Sequence, residues 1–323
     1  MKNFLALSQE FKSFLESQTW IEEPKGLYEP IEYILKIGGK RVRPSLCLAS
    51  AQMFSGNSEI ALNQALAVEV FHNFTLMHDD IMDDAPLRRG QTTVHEKWDA
   101  NTGILSGDAM MILSYQILPR KAEVHALELL NTFSQTAIDV CRGQQMDIDF
   151  ESEVEVSLDQ YLEMIRLKTA VLLSGSLDLG AIVAEADLSD RKLIRDFGEK
   201  LGLVFQIQDD ILDAYGDAEL FGKKEGGDID ANKKTILFAL ALQHSNESQK
   251  KELLELYSSP AGTAGKIERV LEIYNSLHLR HKAEQMMQEY HQKALQDLQG
   301  ILVNAEAKAP LFELAVLLME RTV

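Results

Sequence analysis

Residues 58–84 read SEIALNQALAVEVFHNFTLMHDDIMDD. Leu66, Ala67, Val70, Phe71, Phe74 and Leu76 recur at the three-to-four-residue interval of a buried helix. The run then breaks into carboxylates at Asp79, Asp80, Asp83 and Asp84. Residues four apart on a helix differ by about 40° in direction, so Asp79 and Asp83 share a face. Like charges at that spacing repel and destabilise the helix unless a cation lies between them. A solvated acidic face is the competing reading, and one motif leaves both open.

Residues 205–213, FQIQDDILD, repeat the spacing. Gln206, Asp209 and Asp213 fall on one face, again within an apolar stretch that includes Leu201, Leu203, Val204, Ile207, Ile211 and Leu212. Two copies on two apolar helices read as facing metal sites. Oxygen donors without His or Cys at metal-ligand spacing favour Mg²⁺ over zinc. Mg²⁺ keeps water and substrate phosphates in its octahedron. Candidate phosphate-binding cations are present: Lys40, Arg41 and Arg43 in GGKRVRP, Arg88 and Arg89 after the first cluster, Lys168 beside Thr169, and Lys223, Lys224, Lys233 and Lys234 after the second. Each taken singly reads as surface charge. Their placement beside glycine pairs and acidic motifs sets them apart.

The rest of the 323-residue chain is helical in pattern. Candidate helices run over about 2–19, 27–37, 43–54, 58–83, 102–117, 122–147, 158–166, 169–185, 189–213, 234–243, 247–258, 264–277, 280–302 and 309–321. The seven prolines fall where helices start or loops run, and strand patterning is lacking. Residues 85–91 (APLRRGQ) and 215–234 are read as loops, the second as a mobile tail or a lid. No linker divides the chain, so residues 1–323 are expected to form a single all-α domain. A formal charge of -18 argues against a nucleic-acid partner. The windows around Asp108 and Asp178 are interrupted short of a membrane span. Cys47 and Cys141 form no secreted framework, so a reduced cytoplasm is the expected compartment.

The ordered set GGKRVRP (38–44), HDDIMDDAPLRRG (78–90), GQQMD (143–147), KT (168–169), FQIQDDILD (205–213), GK (222–223) and GGDIDANK (226–233) resembles the trans-isoprenyl diphosphate synthases, the polyprenyl synthetase family. The resemblance implies antiparallel helices around a deep central cavity, usually in a homodimer, and head-to-tail condensation of isopentenyl diphosphate with an allylic diphosphate. It implies Mg²⁺, three ions with substrate bound, held by Asp79, Asp83, Asp209 and Asp213. Asp80 and Asp210 would orient or add charge. Arg88, Lys168, Lys223 and Lys233 would contact the allylic diphosphate. Thr169, Gln206 and Asp147 would lie beside the departing oxygen and the allylic cation. Lys40, Arg43, His72 and Arg89 would hold isopentenyl diphosphate. Several members end in a basic tail, whereas residues 319–323 of this chain read MERTV, with Arg321 as their one basic residue.

The resemblance also bears on product length. Phe74, five residues before Asp79, resembles the pattern of geranylgeranyl (C20) synthases; Thr75 departs from a farnesyl (C15) pattern with aromatics at both positions. Helix geometry offsets Thr75 from Asp79 by about 40°, Phe71 by about 80° and Phe74 by about 140°, so Phe74 does not lie directly beneath the aspartate. Both phenylalanines also read as plain core. C20 is favoured over C15. Four competing readings remain. A terpene cyclase would not need the second diphosphate site. A silent helical subunit would tend to lose one motif. An acidic scaffold leaves the ordered motifs unexplained. A di-iron bundle would need a second copy of the Glu69–His72 spacing. His78 reads as a helix-face hydrogen-bond partner rather than a ligand.

Overall fold

The computed structural model describes residues 1–216 and 226–319. Lys223, Lys224 and Arg321 lie outside the described residues. The expected all-α class is observed. Along the chain the main helices are α1 (Phe4–Glu16), α2 (Lys25–Lys36), α3 (Val42–Ser55), α4 (Leu62–Met82), α5 (Val94–Lys97), α6 (Ala100–Ile117), α7 (Ala126–Ser152), α8 (Leu158–Ile165), α9 (Val171–Val183) and α10 (Leu188–Tyr215). They continue as α11 (Gly227–Asp230), α12 (Ile236–His244), α13 (Glu247–Tyr257), α14 (Lys266–Ser276), α15 (Leu279–Gly300) and α16 (Ala305–Met319). Local chemistry sets several starts. Asp99 accepts from the Thr102 N–H at 2.8 Å, and Ser157 with Gln160 and Asn246 with Gln249 form capping boxes.

Contact clustering divides the chain into two compact units: residues 1–134, 175–192 and 302–313, and residues 135–174, 193–301 and 314–323. In the first, α4 is buried on nearly every side, as a helix apolar all round must be. Glycines let α6 approach it: a Cβ on Gly103 would strike Ile81, and one on Gly107 would strike the His78 ring. The second unit has a core of Tyr161, Val204, Ile207, Ile211, Phe238 and Tyr274 among others.

Three sequence readings are corrected. Pro30 and Pro310 lie inside α2 and α16 rather than at their starts. Each helix begins a few residues earlier than its apolar pattern, because Lys25-Gly26 and Ala305-Glu306-Ala307-Lys308 hold no large apolar side chain to mark the period. The stretch 85–91 is not simply a loop. Leu87–Arg88 pairs with Gln91–Thr92 in a two-residue hairpin, and Arg89 (φ 52) and Gly90 (φ 75) make its turn. Positive φ at both central residues is the hairpin-matching geometry, and an arginine there gives no turn signal in sequence.

Asp178, which interrupts the apolar window of α9, has its partner in the first unit. Arg191 donates to it through Nε at 2.8 Å and Nη2 at 3.1 Å, and also to Glu128. The Asp178 carboxylate is fully buried. Removing one member of such a pair leaves an uncompensated buried charge. Asp178→Ala should therefore lower unfolding stability by about 3–5 kcal/mol, measured by urea denaturation. Replacing both partners with apolar residues should recover most of that loss.

Candidate active site

In the first unit, α4 delivers its carboxylates at its C-terminal end, where the buried helix meets solvent. Asp80 is buried, and Arg88 forks onto its Oδ1 through Nε at 2.7 Å and Nη2 at 2.6 Å. The same Nη2 lies 3.7 Å from Asp79. Asp80 thus orients Arg88, while partly exposed Asp79 and exposed Asp83 share the outer face. His78 bonds the Ile104 carbonyl at 3.1 Å, which is the helix-face role read from sequence.

The glycine pair of GGKRVRP lies against the hairpin. Gly38 and Gly39 both have positive φ. The Arg89 guanidinium donates to the Gly38 carbonyl and occupies the space a Gly39 side chain would need. Arg41 is locked by Glu69 and by the Leu35 carbonyl at 2.6 Å, and Glu69 also accepts from Asn73 at 2.9 Å. Glu69 is therefore an anchor for the glycine loop, which takes it out of any metal-binding pair with His72. Arg43 donates to His72 Nε2 at 3.1 Å, and the buried Arg43 Nε has no hydrogen-bond partner.

Electrostatics agree with an anion site. Burial pushes Arg43 down to about 10, with Glu69 opposing and Arg89 adding to the shift, so it stays charged at neutral pH. Burial, followed by Arg43, Arg89, Arg88 and Arg41, holds His72 well below its ordinary value. A neutral imidazole can accept from Arg43. Four guanidiniums crowd one ring, and one buried N–H points nowhere. A polyanion such as a diphosphate would satisfy both. Lys40 is exposed on the same loop.

In the second unit, a pocket of about 220 Å³ gathers Asp147, Lys168, Thr169, Gln206, Asp209, Asp213 and Lys233. Lys168 donates to Asp147 at 2.5 Å, and Thr169 to Gln206 at 3.2 Å. Lys168 and Thr169 sit on a π-helical turn, Arg166–Ala170. Such widened turns recur at functional sites. Gly143 permits it, since a Cβ there would meet the Lys168 backbone.

The second carboxylate motif divides its labour as the first does. Asp210 is buried and accepts from Tyr161, from Gln206 at 3.1 Å and from the Ile236 N–H at 2.9 Å. Burial is the main cause raising it to about 7, with those hydrogen bonds opposing. Asp209 and Asp213 line the pocket, and Asp213 Oδ2 accepts from the Asp228 N–H at 2.8 Å. Each motif thus offers an outer pair of carboxylates and all-oxygen donors, which fits a hard divalent cation. Sequence reasoning missed Tyr161, which has no motif around it, and Asp228, which lies in GGDIDANK without an assigned role. It also missed Lys266, whose buried Nζ donates to the Asp230 carbonyl at 3.0 Å and to Asn232 at 2.7 Å, holding the segment before Lys233.

The sequence model of the polyprenyl synthetase family matches residues 24–274. A short chain isoprenyl diphosphate synthase of Methanocaldococcus jannaschii is 38% identical, covering 80% of this chain and 79% of that protein. A geranylgeranyl diphosphate synthase of Saccharolobus solfataricus is 37% identical over 92% of this chain and 91% of that one. A crystal structure of a geranylgeranyl pyrophosphate synthase superposes with a TM-score of 0.93 at 43% identity, covering all of both chains. One from Pyrococcus horikoshii superposes at 0.89 with 30% identity, covering 99% and 98%. On the match to most of its length and on these identities, the chain belongs to the polyprenyl synthetase family of trans-prenyltransferases.

Proposed function

We propose that the protein condenses isopentenyl diphosphate head-to-tail with allylic diphosphates and releases geranylgeranyl diphosphate. The observation that carries the reading is the repeated split of each DDxxD motif into a buried middle aspartate held by the protein and an outer pair of carboxylates on a common helix face. The names of the relatives point to the same product class.

The proposed roles follow the contacts. Arg88, Lys168 and Lys233, with Lys223 from outside the described residues, hold the allylic diphosphate. Mg²⁺, three ions with substrate present, held by Asp79, Asp83, Asp209 and Asp213, would offset the charge that grows on the leaving diphosphate as the C–O bond breaks. Thr169, Gln206 and Asp147 supply oxygens beside the allylic cation. Arg43, Arg89, Lys40 and neutral His72 hold isopentenyl diphosphate with its double bond free to attack. The attack forms the new C–C bond, and the proton lost from the resulting cation goes to the departed diphosphate. The family match runs through residues of both compact units, so we take residues 1–323 as one functional domain.

Three further proposals go with this reading. An exposed apolar stripe on α6, Ile104, Leu105, Met111 and Ile112, is the surface for a homodimer. The compartment is the cytoplasm; among the described residues no helix is long and apolar enough to cross a membrane. Phe74 ends the product path, backed by Phe71 at a ring separation of 5.4 Å, with Thr75 nearer the metals.

Purified protein given Mg²⁺, isopentenyl diphosphate and C5, C10 or C15 allylic starters should yield a C20 alcohol after dephosphorylation. A C15 end point would keep the enzyme and correct the product, whereas no condensation with any starter would favour a silent subunit. Asp79→Ala should lower turnover by roughly a thousandfold or more with little loss of stability, since it relieves repulsion with Asp83. Unchanged turnover would remove Asp79 from the metal set. Phe74→Ala should shift the product distribution beyond C20; an unchanged distribution would show that Phe74 is core only.

A further inference from the structure

The condensation uses nothing beyond Asp83 on the first motif until Arg88, yet the chain places an unusual group there. Asp84 follows the motif with φ 49 and an almost fully exposed carboxylate. Across the hairpin, α5 carries His95 and Glu96. The His95 ring is 93% buried by its 7% side-chain exposure, and neither ring nitrogen has a hydrogen-bond partner. Its Nε2 lies 4.0 Å from Asp84 Oδ1 and 3.8 Å from Glu96 Oε1. One ligand atom from each of the three residues falls within 4.8 Å of the other two. The neighbouring cation Lys97 is turned elsewhere, with its ammonium 3.6 Å from the Tyr33 ring centre.

A buried imidazole with neither nitrogen bonded is unfavourable in a folded protein, and such a group calls for a partner. Two carboxylates flank one of its nitrogens. We propose that Asp84, His95 and Glu96 form a binding site for a zinc-type divalent cation, separate from the carboxylate pairs that serve the diphosphate. The imidazole excludes Mg²⁺ as the preferred ion, because Mg²⁺ takes hard oxygen donors. Zinc takes nitrogen and carboxylate ligands at about 2.0–2.2 Å, with a fourth position left to water. Ligand atoms around one tetrahedral ion then stand about 3.3–3.5 Å apart. The two observed separations exceed that by about half an ångström, and exposed Asp84 and Glu96 can close the gap while His95 stays in place.

The position gives the ion a consequence. Asp84 leaves the end of α4, and His95 and Glu96 follow the hairpin, so the ion would tie together the two ends of the segment bearing Arg88 and Arg89. That segment is already pinned at its base: Thr93 donates from Oγ1 to the Ala85 carbonyl at 2.8 Å and from N–H to the Pro86 carbonyl at 3.2 Å. A zinc clamp would add a link just outside this base, one residue before Ala85 and two residues after Thr93.

Isothermal titration of the full chain with Zn²⁺, in millimolar Mg²⁺ and without substrate, tests the proposal. Asp84→Asn and Glu96→Gln, both at exposed carboxylates, should each weaken zinc binding by at least about tenfold, and circular dichroism should confirm that both variants fold. Asp79→Asn should leave the zinc affinity unchanged. In the wild type, the His95 ring resonances should shift saturably with zinc. Affinity that survives both Asp84→Asn and Glu96→Gln, affinity lost in Asp79→Asn, or no zinc binding at all would overturn the site.

Discussion

Repulsion between carboxylates one helical turn apart is the constraint that both carboxylate motifs share. In each motif the protein takes up the middle aspartate. Asp80 is held by the Arg88 fork. Asp210 is held by Tyr161, Gln206 and the first N–H of α12. The outer pairs, Asp79 with Asp83 and Asp209 with Asp213, keep their shared faces. The packing that fixes the middle aspartates thus keeps each outer pair one helical turn apart, the spacing at which like charges repel.

The same logic runs with opposite sign in the glycine loop. The chain carries a formal charge of -18, yet burial first, and then Arg43, Arg89, Arg88 and Arg41, hold His72 well below its ordinary value. Glu69 neutralises Arg41, and Asp80 engages Arg88. Arg43 keeps a buried N–H without a partner. Local positive potential inside an acidic protein requires such arrangement, since the long-range field disfavours an incoming diphosphate.

What the sequence disclosed and what it hid divide along physical lines. Helices were legible because their apolar spacing repeats, and Asp79, Asp83, Asp209 and Asp213 were legible because helical arithmetic alone puts them on common faces. Asp178 stood out as a charge in an apolar window, but its partner Arg191 lies on another helix and no local pattern names it. The hairpin at 87–92 escaped notice because its turn uses Arg89 in a left-handed conformation, held there by the Gly38 carbonyl rather than by intrinsic preference. Tyr161 was invisible for a similar reason: its hydroxyl serves a carboxylate 49 positions away. Long-range satisfaction of buried polar groups leaves no local trace in sequence.

Helical geometry also reshapes the question of product length. Ideal helix geometry puts Phe74 about 140° from Asp79 around α4. Its ring packs between Phe71 and His78, at 5.4 Å and 4.8 Å between centres. His78 in turn is fixed by the Ile104 carbonyl and fills the space left by Gly107. Thr75, which helical spacing puts nearer the Asp79 face, bends its hydroxyl back to the His72 carbonyl at 2.8 Å. A small side chain folded onto its own helix leaves that turn narrow, and bulk accumulates instead on the α4–α6 side. On the proposed reading, the floor is therefore a property of a helix–helix seam. Substitutions on α6 at Gly107, which never approach the metals in sequence, would act on it through the His78 ring and so through Phe74.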